Sequence, residues 1–349
     1  MIVVGVDVHK HSLTATAVDE LGRALAVRSG PIDGEVVAWA RALGEERLWA
    51  VEDCRHVTRR LEQTLREAGE RLVRVPPRLT APQRRRGRTR GKSDAIDALN
   101  VARAALQEGL ESFPAAHLDG PELDLRLLVD HRERLVRHRV ELNSTLQWHL
   151  HDLWPELQLP GSSLFYGRWA PRIARRLARA EQTMRVRIAR DELRRIRELS
   201  QAIKALEAEI AGLVAAIAPQ LLSEPGFGPL TAAKLVGEIA GAQRFATAAK
   251  LARAAGVAPI PASSGNTQRQ RLDQGDNRQI NAALHRVIVT RARCHPETRD
   301  YIARRRAEGK STREAIRCLK RYLTRHVWRL LQPPHPAPGN DSQPINFLT

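Results

Sequence analysis

The stretch IVVGVDVHKHSLTATAVDELGRALAVRS, residues 2 to 29, decides the fold. It opens with the apolar run IVVGVDV, residues 2 to 8, which ends in an acid. Two strand-like runs follow, residues 12 to 18 (SLTATAV) and 23 to 29 (RALAVRS), with the turn sequence DELG between them. Three strands on short connections predict an antiparallel meander. Beyond it, a helical segment from about 33 to 44 leads to LWAVED, residues 48 to 53, a buried strand ending in acids. VTRRLEQTLREAG then reads as an amphipathic helix closed by Gly69, and RLVRVP as one more strand. The order is three strands, helix, strand, helix, strand, and the crossovers make the later strands parallel.

Four acids stand out against this frame. Asp7 and Glu52 close two separate apolar strands, and ligands of open sheets gather beyond the carboxyl ends of parallel strands. In GKSDAIDA, residues 91 to 98, Asp94 and Asp97 stand three apart on a helix that runs from Ser93, its N-cap, to about Glu108. Taken singly, each acid has a plainer explanation: Asp94 complements a helix dipole, Asp7 serves as a turn residue, and Glu52 is a surface charge. Together, four carboxylates hold two divalent ions about 3.5–4 Å apart, the arrangement for phosphodiester displacement. Hard oxygen ligands favour magnesium or manganese. The same meander opens sugar-kinase and actin-like ATPases, but no second Gly-rich phosphate loop follows a later strand here.

Between the last strand and this helix lies PPRLTAPQRRRGRTRGK, residues 76 to 92, too polar for a core. Arg84, Arg85, Arg86, Arg88, Arg90 and Lys92 read as a phosphate or RNA clamp, with a solvated linker as the plainer reading. The whole chain of 349 residues carries 57 Lys plus Arg against 39 Asp plus Glu, a formal charge of +18. That excess implies a polyanionic partner, nucleic acid ahead of membrane. No apolar run approaches the roughly 20 residues needed to span a bilayer. The N-terminus MIVVGVDVHK lacks the pattern of a signal peptide. Cys54, Cys294 and Cys318 are far apart and show no zinc-type spacing. The expectation is a reduced, cytoplasmic, nucleoid-associated protein.

The middle of the chain reads as helical. Leu128, Leu135 and Leu142 recur every seven residues, and Ile196, Leu199, Ile203, Leu206, Ile210, Leu213 and Ile217 alternate steps of three and four. This predicts a coiled coil, within the chain or between protomers, with a plain amphipathic helix as the alternative. Farther on, SEPGFGPLTAAKLVGEI has Gly226 and Gly228 between two short helices, a helix-hairpin-helix pattern whose exposed N–H groups hold a phosphate. A tight helical turn would give the same glycines. The loop PASSGN precedes Arg269, Arg271 and Arg278, and no His or Asp stands beside Ser263 or Ser264 in a recognisable triad order. The tail, residues 333 to 349, is Pro-rich and polar and is expected to be disordered.

In order, GVDVHK, the Glu of AVEDC and GKSDAIDA resemble the acidic motifs of transposases of the insertion sequence 110 family. EPGFGPLTAAKLVGEI, RFATAAKLARAAGVAP, SSGN and GDNRQINAAL resemble that family's C-terminal domain, and the likeness reaches to about residue 330. EDCRHVT departs from the Thr-Gly that members often carry after the Glu. The resemblance implies an α/β plus α chain. Residues 1–115 would form a DEDD domain of the RNase H/RuvC-like fold, 116–218 a helical coiled-coil and oligomerisation region, and 219–332 a mainly helical transposase domain with helix-hairpin-helix and serine loop. It implies magnesium, or manganese, on Asp7, Glu52, Asp94 and Asp97. It also implies a serine nucleophile, placed on Ser264 with Ser263 as fallback, that links covalently to DNA. The implied partners are donor and target DNA, a structured bridging guide RNA and further copies of the chain, as a dimer or tetramer. The nucleic-acid contacts would come from the basic loop, Gly226, Gly228, Arg269 and Arg271. The competing function is a stand-alone metal-dependent Holliday-junction nuclease in which water attacks.

Overall fold

The computed structural model describes residues 1–52, 57–77, 79–80, 83, 93–110, 113, 120–160, 164–165, 169–262, 270–271 and 277–333. The first apolar run forms β1 (Ile2–Val8), antiparallel to β2 (Ser12–Val18), which pairs antiparallel with β3 (Ala24–Pro31). Helix α1 (Gly34–Leu43) starts where the Asp33 side chain accepts the Glu35 N–H, and leads to β4 (Arg47–Glu52), parallel to β1. Helix α2 (Arg59–Glu67) returns the chain to β5 (Leu72–Val75), parallel to β4. The sheet order is β3-β2-β1-β4-β5, the meander plus crossovers that the strand pattern predicts.

Both faces of this sheet are covered, which is why β1 shows no apolar-polar alternation. One face packs Val4, Val6, Ala15, Trp49 and Val51 against Val36, Ala40, Leu61 and Leu65 of α1 and α2. The other packs Val3, Val18, Leu48 and Ala50 against Val101, Ala102 and Ala105 of α3 (Asp94–Glu108). Each fully buried Val or Leu contributes about 1.5–3 kcal/mol. As its sequence predicts, α3 begins at a Ser93 cap, whose Oγ accepts the Ile96 N–H at 3.4 Å.

The chain forms two compact units. One comprises Met1–Leu118, Gly241–Leu284 and Tyr301–Thr349; the other comprises Asp119–Ala240 and His285–Asp300. In the second, α4 (Pro121–Leu153), α5 (Trp169–Arg179) and α6 (Met184–Ile217) precede the one-turn α7 (Pro219–Leu222) and α8 (Pro229–Ile239). Arg132 bonds Glu207, Arg139 bonds Ser200 and His149 bonds Glu192, so α4 and α6 pair antiparallel within the chain. Ile196, Ile203 and Ile210 are buried, while Leu128, Leu135, Leu142, Leu199, Leu206 and Leu213 keep partial exposure.

After Ala240 come a short turn of helix, Ala242–Arg244, then α9 (Ala248–Ala254), β6 (Ile260–Pro261), β7 (Gln270–Arg271), α10 (Arg278–Cys294), α11 (Pro296–Ala307) and α12 (Thr312–Leu330). In the first unit Lys320 on α12 donates to Asn281 Oδ1 at 2.6 Å, and Asn281 donates to the Ala255 and Gly256 carbonyls. The basic stretch 84–92, both loop serines, Arg269 and the tail from 334 lie outside the described residues. No helix among the described residues is long and apolar enough to cross a membrane.

Candidate active site

Register and face bring the acids together. Val3, Gly5 and Asp7 share one face of β1, and Leu48, Ala50 and Glu52 share the same face of β4, because side chains alternate along a strand. The parallel register pairs Gly5 with Ala50 and Val6 with Val51, so its next step sets Asp7 beside Glu52. Neighbouring strands lie about 4.8 Å apart. Both carboxylates therefore leave the carboxyl end of the sheet on the side that α3 covers.

Gly5 is what lets α3 come close. A Cβ there would lie 2.6 Å from the Ala102 nitrogen and 2.8 Å from its Cβ. With no side chain in the way, the first turn of α3 settles over the strand end. Thr16 on β2 donates to the Ala95 carbonyl at 3.2 Å and ties that turn down. Asp97 is then buried at 8% exposure, and Asp94, one turn earlier, is exposed. Both acids also complement the helix dipole, which lowers the cost of holding them there.

The electrostatics report the convergence. Burial raises the Asp7 carboxyl above its ordinary value, and the charges of Asp94, Asp97 and Glu52 raise it further, while His9 acts the other way. Three acids from two other elements thus reach Asp7. His9 Nε2 lies 3.1 Å from Asp94 Oδ2 and 3.8 Å from Asp7 Oδ2. The ligand-type atoms of Asp7, His9 and Asp94 all fall within 4.8 Å of one another. On the far side, the buried Thr80 hydroxyl donates to Glu52 Oε1 at 2.7 Å and orients that carboxylate.

Neither His9 nor Thr80 is among the acids that the strand and helix pattern marks. His9 had a signal: it stands two residues after Asp7, on the same side of an extended chain. Thr80 had none, since a threonine in a Pro- and Arg-rich stretch reads as loop.

The other candidate residues fall elsewhere. Gly226 adopts φ +80°, and a Cβ there would meet Val287 O at 2.9 Å and Arg291 Cγ at 2.8 Å, so its small size serves packing against α10. Gly228 is the N-cap of α8 with open space around it. Arg271 lies on β7, paired with Ile260. Arg84, Arg85, Arg86, Arg88, Arg90, Lys92, Ser263, Ser264 and Arg269 lie outside the described residues.

The same acidic segment matches a transposase family profile, the DEDD type of insertion element IS110, over residues 4–155. The profile "Transposase IS116/IS110/IS902 family" matches residues 218–303. The chain belongs to the IS116/IS110/IS902 family of transposases. An insertion element IS116 uncharacterized 44.8 kDa protein of Streptomyces clavuligerus is 28% identical, over 94% of this chain and 94% of that one. An insertion element IS110 uncharacterized 43.6 kDa protein of Streptomyces coelicolor is 36% identical over 37% of this chain, a stretch that spans only 33% of that relative. T. thermophilus RuvC in complex with a Holliday junction substrate is similar over 33% of this chain and 99% of that one, at 16% identity and a TM-score of 0.28. The fold rests on strand order and register rather than on that likeness.

This transposase acts on DNA, and its DEDD domain implies dependence on a divalent metal. The residues present fit such an ion. Their side chains offer carboxylate oxygens and one imidazole, and a cation would offset both the burial and the neighbouring negative charges that raise the Asp7 carboxyl.

Proposed function

We propose that this transposase cuts and rejoins DNA by a serine nucleophile acting with a divalent-metal centre, under the direction of a structured guide RNA. Asp7, Glu52, Asp94 and Asp97 would hold the metal, magnesium or manganese, and Ser264 would attack, with Ser263 as the alternative. The observation that carries the reading is the parallel register that sets Asp7 beside Glu52, with Asp7, His9 and Asp94 ligand atoms within 4.8 Å of one another under the first turn of α3. Four acids from three separate elements meet at the carboxyl end of the sheet, and of these Asp7 and Asp94 lie with His9 within 4.8 Å of one another.

Within this reading each residue has a task. Asp7 and Glu52 provide a fixed floor at the strand ends, Thr80 keeps Glu52 turned inward, and Asp94 and Asp97 close the site from α3. A divalent ion bound there supplies charge stabilisation to the attacking and leaving oxygens. The Ser264 Oγ displaces one strand end from phosphorus and keeps the phosphodiester energy in a phosphoserine link, so rejoining needs no nucleotide cofactor. Arg84, Arg85, Arg86, Arg88, Arg90, Lys92, Arg269 and Arg271 bind nucleic-acid phosphates, with the open α8 N-terminus at Gly228 as a further phosphate contact beside Gly226. The formal charge of +18 supports that role. The partly exposed heptad leucines of α4 and α6 support assembly of copies into a dimer or tetramer.

The test is a denaturing gel. Purified chain is incubated with guide RNA, labelled donor and target DNA and magnesium, then denatured. DNA shifted by covalently attached protein is expected for the unaltered chain and absent for Ser264→Ala. Cleavage without any attached protein would instead identify a nuclease that uses water. An adduct that survives Ser264→Ala but not Ser263→Ala would move the nucleophile by one residue.

A further inference from the structure

One end of the acidic cluster is chemically unlike the other. Glu52 and Asp97 offer only carboxylate oxygens, whereas Asp7 and Asp94 share their space with an imidazole nitrogen. The 3.1 Å separation of His9 Nε2 from Asp94 Oδ2 suits neighbours in one coordination sphere, and Asp7 Oδ2 lies 3.8 Å from the same nitrogen. An octahedral ion with bonds of about 2.1 Å holds adjacent ligand atoms about 3 Å apart.

The backbone sets this geometry. His9 N–H donates to the Ser12 carbonyl at 2.8 Å, which closes the turn from β1 into β2 and fixes the ring just past the strand end. The side chain is 47% exposed, so it fills no core and solvent ions reach it freely. A histidine needed only for packing would not sit there.

We propose that His9 Nε2 is a ligand of a divalent ion held with Asp7 and Asp94, and that this end of the site takes a transition-metal ion such as Mn2+ in preference to Mg2+. The proposal rests on the metal-centre reading above and adds a nitrogen to its oxygen set. Magnesium binds oxygen and surrenders its water reluctantly, while an imidazole donor favours first-row transition ions over it. His9 thereby makes the two ends of the cluster inequivalent. The all-oxygen end stays suited to magnesium, and the His9 end selects the softer ion.

The experiment uses the full chain without nucleic acid. Mn2+ is titrated in and followed by electron paramagnetic resonance, and pulsed spectra read whether nitrogen is directly bound to the ion. Variants are His9→Gln and, as a control for the exposed neighbour in the same turn, His11→Gln, each checked by thermal melting. Nitrogen coupling is expected in the unaltered chain and in His11→Gln, and is lost in His9→Gln. Mn2+ affinity in His9→Gln should fall about tenfold or more, and Mg2+ affinity by competition far less. Mn2+ binding without nitrogen coupling, or coupling that vanishes in His11→Gln, overturns the role of His9 and leaves the four-carboxylate centre standing. Equal loss of Mn2+ and Mg2+ affinity in His9→Gln overturns the selectivity. Absence of any divalent-ion binding in the unaltered chain overturns both this proposal and the metal-centre reading. If His9→Gln fails to melt cooperatively, His9→Ala takes its place, and nitrogen coupling that survives it overturns the role of His9.

Discussion

Glu70 and Asp7 are acids at opposite ends of one sheet, and their surroundings could hardly differ more. Glu70, at the amino ends of β4 and β5, has a side chain 2% exposed and is met by Arg47 at 2.5 Å, Trp49 Nε1 at 3.0 Å and Arg41 at 3.1 Å. Burial pushes its carboxyl up, but those donors together hold it below its ordinary value. Asp7 is also desolvated, yet its neighbours include Asp94, Asp97 and Glu52, and its carboxyl is held above the ordinary value. At one end the chain completes the charge balance itself. At the other it leaves negative charge to be met from outside, at the carboxyl ends of the parallel strands where open sheets bind ligands.

The largest test of this contrast is catalytic. Asp97→Asn should lower DNA strand cleavage by at least ~10³-fold, because a metal centre contributes several kcal/mol at about 1.4 kcal/mol per factor of ten. Glu70→Ala, assayed well below its melting temperature, should cleave at close to the unaltered rate. Similar losses in both variants would erase the distinction between the two ends.

Stability should move the opposite way. Glu70→Ala leaves Arg47, only 14% exposed, without its buried partner, and should cost about 3 kcal/mol in urea unfolding. Asp7→Asn removes one of several crowded negative charges and should stabilise the metal-free chain. If Asp7→Asn is as damaging as Glu70→Ala, the acidic end is structural.

The pH dependence sharpens the comparison further. Glu70 is held below its ordinary 4.5, so the folded chain binds that proton more weakly than the unfolded chain does. Its stabilisation is full above 4.5 and is lost as pH falls through the lower, folded value. Asp7 is held above its ordinary 3.8, so the folded chain binds the proton more tightly. Without metal, stability falls as pH rises from 3.8 through the higher, folded value. Urea melts across this range should show the Glu70→Ala deficit shrinking in acid and the Asp7→Asn gain shrinking in acid as well. A gain that grows as pH falls would reverse the assignment for Asp7.

How far this was legible in the sequence differs by residue. The strands were readable because they are short apolar runs bounded by turn residues, and α3 because Ser93 caps it locally. The direction of Asp7 was not, since Val3, Val4 and Val6 are all buried and β1 carries no alternation to mark its faces. That required α3 over Gly5, a contact 93 or more residues away in the chain. Heptad spacing found Ile196, Ile203 and Ile210, but periodicity does not name the partner helix. It also gave no sign that Arg139 on α4 is buried, with its guanidinium 4.2 Å from the centre of the Phe165 ring.

The smallest expected effect concerns Arg84, Arg85 and Arg86, outside the described residues. Replacing them should flatten the salt dependence of nucleic-acid binding by roughly one unit of slope per lost phosphate contact. An unchanged slope would leave those arginines as a solvated linker.

The most direct measurement of the central claim is thermal melting with and without a divalent ion. At an ion concentration about 100 times its dissociation constant, binding should add about 2.7 kcal/mol, which raises the melting temperature of the unaltered chain by several degrees. Asp7→Asn should melt at a temperature that the ion barely changes, while Glu70→Ala, though less stable, should still respond to it. No shift in the unaltered chain, or an equal shift in Asp7→Asn, would contradict the account.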